Sequence, residues 1–180
     1  MLKTRPTLRS TANLLLLAIL VCWQPRPAAA AQDPPAAADS KAPRPKDLVI
    51  LYRSESVLGR KEIGVFGATA DPRQPGLWSV QVWEETRDRV TIATDRISCT
   101  PAAPLRITGE GSQMYVRQLN PGGAIHDVNR LDHLIWWAVC QPQLAGRDPA
   151  GLAKEARRLG FSGNLREQQD VVKAAPAGDR

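Results

Sequence analysis

Hydrophobic residues in the middle of this chain change period once, and that change limits the cores they can build. Up to Gln118 the apolar positions alternate or form short continuous runs, both strand patterns. Leu48–Tyr52 reads as a central strand. Glu62–Ala68 follows, bounded by Gly59 and the Asp71-Pro72-Arg73-Gln74-Pro75-Gly76 cluster. In Leu77–Thr86, Trp78, Val80 and Val82 point one way and Ser79, Gln81 and Trp83 the other. Arg89–Cys99 alternates again, so Arg87-Asp88 predicts a hairpin; Leu105–Thr108 and Gln113–Gln118 add a further pair. After Asn120-Pro121-Gly122-Gly123, the residues Leu131, Ile135, Trp136 and Val139 recur at helical spacing. Asn129 with Asp132 predicts an N-cap, and Pro142 a stop near Cys140. Strands first and a helix after them predict an α+β fold: a small antiparallel β-sheet packed by a C-terminal helix.

Residues 1–31 read as a signal peptide. Lys3, Arg5 and Arg9 form a basic start, Ala12–Val21 an apolar stretch, and Ala28–Ala31 a small-residue cleavage site. The apolar stretch is too short for a permanent membrane span, and no twin-Arg pair precedes it, so a Sec-type route is expected. Cys22 raises a lipoprotein alternative, but Val21 stands where that signal wants a small residue. Residues 32–46, rich in Pro and Ala, read as an extended linker rather than a PxxP ligand. Residues 47–144 form the α+β domain. Residues 145–180 read as a polar, loosely helical C-terminal tail: Asp148-Pro149 starts one weak helix, Leu152, Ala156 and Leu159 stripe it, and Gly160 stops it. Asn164 with Glu167 suggests a second capping box.

The leader also accounts for the charge. The chain has 24 Lys+Arg against 18 Asp+Glu, a formal +6, but Lys3, Arg5, Arg9 and Arg26 leave with the leader. The remainder is +2, and the 47–144 domain is −1, so nucleic-acid binding is not expected.

Removing the leader leaves two cysteines, Cys99 at a strand end and Cys140 at the helix end. In an exported chain this predicts a strand-to-helix disulfide rather than a reactive thiol. No catalytic motif stands out. His126 and His133 would lie about 10 Å apart on one helix, too far to share a metal ion. No G-x-S-x-G turn or phosphate loop is present, and Glu84-Glu85 point to opposite faces of a strand. No cofactor or metal is expected. Trp78 reads as core. Of Trp83, on the opposite face, and Trp137, near His126, Arg130 and His133, one is expected to pack under the tail; if both stay exposed, they are candidate contact residues.

The Trp strand Leu77-Trp78-Ser79-Val80-Gln81-Val82-Trp83, the strand ending in Cys99, the Asn120–Gly123 turn and the closing Trp136-Trp137-Ala138-Val139-Cys140 resemble the surface-adhesin protein E family over residues 47–140. The run Cys99-Thr100-Pro101-Ala102-Ala103-Pro104 and the chain after Pro142 depart from that pattern. The resemblance implies an exported Gram-negative envelope protein without catalytic residues. The expected function is therefore non-enzymatic, adhesin-like binding of a protein or cell-envelope component, in the periplasm or secreted. The alternative is a small periplasmic enzyme or ligand-binding protein with a site near His126, His133 and Trp137.

Overall fold

The computed structural model describes residues 42–57 and 59–173. The predicted leader, Cys22, residues 32–41 of the linker and residues 174–180 lie outside the described residues. Seven strands form one antiparallel sheet in chain order: β1 (Val49–Ser56), β2 (Gly59–Ala70), β3 (Leu77–Glu85), β4 (Val90–Ser98), β5 (Leu105–Glu110), β6 (Gln113–Gln118) and β7 (Gln168–Lys173). The first five connections are short, which permits only antiparallel neighbours. Gly76, at φ 84°, takes the left-handed conformation that closes the Asp71–Gly76 turn. Strand β2 is longer than its apolar run, and its pairing with β3 shifts register between Phe66 and Thr69.

Helix α1 (Asp127–Cys140) covers one face of the sheet. It begins earlier than the sequence suggests. His126 is the N-cap, and Asn129, one turn in, accepts the His126 backbone N–H at 2.7 Å through Oδ1. Asp132 has a different task from capping: Arg106 on β5 donates to it at 2.5 Å. That ion pair explains an acid within the apolar arc of the helix. Leu51, Ile63, Val65, Val80, Val82 and Ile97 supply the sheet side of the core, and Leu134–Val139 the helix side.

The segment after Leu144 is not a loose tail, which corrects the expected domain limit of 47–144. Two 3-10 turns, Pro142–Leu144 and Pro149–Leu152, lead into the short helix α2 (Ala153–Arg158). Leu144, Leu152, Ala156 and Phe161 join the same core, with Phe161 edge-on to Trp136 at 5.1 Å. Their stripe is too thin to make a core alone, but α1 offers it a second apolar side. Asp148 does cap as the sequence predicts, accepting from the Ala150 N–H at 3.2 Å. Asn164 and Glu167 do not start a helix; the chain runs extended and β7 pairs with β6 along the sheet edge.

Cys99 and Cys140 form a disulfide, their Cα atoms 5.4 Å apart. It ties the residue after β4 to the last residue of α1, as the cysteine count predicts. Among the described residues no helix is long and apolar enough to cross a membrane.

Candidate functional site

The five candidate contact residues do not converge on one surface. His133 is fully buried, and its Nε2 lies 2.7 Å from Glu167 Oε1. Glu167 also accepts from Asn129 Nδ2 at 2.8 Å and from the Asn120 backbone N–H at 3.1 Å. Burial pushes the Glu167 carboxyl up, but the hydrogen bonds from Asn129 and His133 outweigh it and hold the group below its ordinary value. This network joins α1 to the segment entering β7. Trp137 is 1 % exposed; its Nε1 and the His133 Nδ1 find no hydrogen-bond partner among the described residues. Both side chains are therefore core residues, because α1 is covered by the sheet on one side and by residues 144–161 on the other. His126 is exposed at the helix start, and Arg130 donates to Asp148 at 2.5 Å. Of the five, Arg130 borders an open groove, of about 450 Å³, with Tyr52, Lys61 and Leu131.

A second buried ionic cluster sits under α1. Arg106 holds Asp95 at 2.7 Å and Asp132 at 2.5 Å. Burial raises the Asp95 carboxyl more than the Arg106 guanidinium lowers it, so its pKa lies above the ordinary value. Among the described residues no group of three or more His, Cys, Asp or Glu is placed to hold a metal ion.

The outer face of the sheet, away from α1, holds the arrangement that sequence reasoning missed. Trp83 does point to that face, as the alternation predicts, but it is 1 % exposed and not a free contact residue. Its Nε1 donates to Glu85 Oε2 at 3.3 Å. Glu85 stands directly opposite Glu62 across the β2–β3 ladder, an unfavourable pair by itself. Arg44 resolves it. Its Nε and one terminal nitrogen donate to Glu85 at 3.1 and 2.9 Å, and the same terminal nitrogen bonds Glu62. Glu62, only 2 % exposed, further accepts from Arg53 at 2.7 Å and from Arg60. The end of the Pro/Ala-rich segment is thus fastened to the sheet and is not pure linker.

Arg44, Arg60, Glu62, Glu85, Thr86 and Arg87 line a pocket of about 370 Å³ on this face. Arg87 comes from the β3–β4 turn and makes no hydrogen bond or ion pair with another described residue. Three guanidinium groups from three separate parts of the chain therefore rim one cavity over a buried carboxylate. The β1–β2 ladder places Arg53 opposite Glu62, a pairing that the sequence reading of a strand ending at Tyr52 does not reach. The Arg44 contact is not legible either, since nothing in a Pro-rich segment signals which sheet face it will meet.

Comparison with known proteins is negative: no family model, no curated protein and no solved structure matches this chain.

Proposed function

We propose that this chain is exported by its N-terminal leader and acts in the bacterial envelope by non-enzymatic binding of a protein or surface component. The observation that carries this reading is the arginine-rimmed pocket on the outer sheet face, presented by a framework fixed from both sides. The buried ionisable groups His133, Glu167, Asp95 and Glu62 each join one part of the chain to another, which makes them structural ties. A disulfide packed against the core favours an oxidising compartment, in keeping with the leader. The resemblance to surface-adhesin protein E points the same way, toward contact with other molecules at the cell boundary.

The test is a pull-down from envelope extracts with disulfide-intact protein beginning at Gln32, alongside its Arg87→Glu variant. Capture of the same component by the first and not by the second supports the proposal. An empty pull-down, or equal capture by both, overturns it. Export is checked separately by mass spectrometry of alkylated protein from cell fractions, where Cys99 and Cys140 should resist alkylation until reduced.

A further inference from the structure

We infer that the outer-face pocket is a binding site for a tetrahedral oxyanion, a phosphate or sulfate group. The inference deepens the binding reading given above and rests on the outer face being the contact face. Three guanidinium groups, Arg44, Arg60 and Arg87, line the pocket with two carboxylates, Glu62 and Glu85, and Arg53 ties Glu62 from outside the pocket lining. Among the lining side chains the arginines exceed the carboxylates by one, and the remaining positive charge at the rim favours an anion.

Donor geometry agrees with the charge. A guanidinium has five N–H donors and no acceptor. Among the described residues the Arg60 side chain bonds Glu62 alone and that of Arg87 bonds none, so N–H groups remain available at the rim. A single carboxylate would leave most of these unmet. A phosphate or sulfate presents several acceptor oxygens and matches guanidinium in the paired geometry that makes these bonds strong. Glu62 contributes by position: buried and fixed, it holds Arg44 and Arg60 at the pocket wall.

Gly59 supplies the remaining requirement. Its φ is +105°, and a Cβ built on it would stand 3.3 Å from Arg87 Nε. The absent side chain leaves space for Arg87 to lie over the β1–β2 turn and reach the pocket. Thr86, beside Arg87, donates its hydroxyl to the Arg89 carbonyl at 3.2 Å, bracing the turn that carries the guanidinium.

The experiment is calorimetric and NMR titration of disulfide-intact protein at constant ionic strength, following the arginine Nε–H signals. Inorganic phosphate and sulfate form one arm, and vesicles with or without phosphatidate the other. Saturable binding in either arm, weakened about fivefold or more by Arg87→Gln and unchanged by Arg73→Gln in the β2–β3 turn, supports the site. Binding to phosphate identifies a soluble anion as sufficient; binding only to phosphatidate vesicles identifies a lipid headgroup as the source. No binding in either arm, or binding indifferent to Arg87→Gln, overturns the inference. Because Arg87 has no described partner, its replacement should leave the thermal transition in place, and circular dichroism checks this. The two proposals fail separately. Phosphate binding with an empty pull-down removes the envelope-binding role, and specific capture without anion binding removes the oxyanion site.

Discussion

Replacing both cysteines with alanine, Cys99→Ala with Cys140→Ala, tests how far the clamp between sheet and helix supports the fold. The cross-link spans 41 residues, a loop that contains β5, β6 and nearly all of α1. On the chain-entropy model, closing a loop of that length removes about 4 kcal/mol of unfolded-state freedom. Marginally stable domains have only about 5–15 kcal/mol in total. For a chain of this size the loss corresponds to a fall in melting temperature of roughly 8–16 °C. Urea unfolding of the oxidised wild type against the double variant, followed by tryptophan fluorescence, measures it. The midpoint should fall, and the slope should rise because the released chain exposes more surface when unfolded. The same shift should appear when the wild type is reduced. A cooperative transition displaced by less than about 1 kcal/mol would refute the reasoning, since the clamp would then constrain little of the unfolded chain.

Gly64→Ala should destabilise by about 1–3 kcal/mol, because the new Cβ would meet the Val49 carbonyl oxygen at 2.6 Å and Leu48 Cδ1 at 2.9 Å; chemical denaturation reads it. Arg106→Ala should cost about 3–5 kcal/mol by leaving Asp95 and Asp132 facing each other under the helix. Asp95→Asn should cost far less at neutral pH, because burial already disfavours the charged form there, and thermal melts of the two variants decide. Glu167 is held below its ordinary pKa, so its contribution is fully present above that ordinary value and is lost as the pH falls through the lower folded value. A stability-versus-pH series should therefore show wild type and Glu167→Gln converging in acid and separating toward neutrality.

The legible part of the fold was its local part. Apolar runs and alternation locate β1 to β6, and helical spacing locates α1, because each signal lies within a dozen residues; β1, whose apolar run reads as a central strand, lies instead at the sheet edge. The cysteine pair followed from export and an even count. What escaped depends on contacts between distant segments. Asn164 and Glu167 have capping chemistry, yet Asn120 takes both the Leu165 N–H and the Gly163 carbonyl, at 3.1 and 3.0 Å, and Glu167 turns to His133. With those groups engaged, the following residues extend and add β7 to the sheet. His133 reads as solvated helix surface in the sequence because the segment that engages it through Glu167 carries only weak, polar signals. Alternation puts Trp83 on the outer face, where it lies, but the docking of Arg44 against Glu85 and Glu62 there carries no sequence signal.

That same docking creates the proposed binding surface, so the most direct measurement is an equilibrium titration of disulfide-intact protein onto isolated bacterial envelope. The wild type should bind saturably, lose affinity as salt rises through screening of the arginine rim, and be displaced by phosphate. Arg87→Glu should bind at least about tenfold more weakly while melting at the same temperature. Wild-type and Arg87→Glu curves that superimpose, at every salt concentration, would contradict the account.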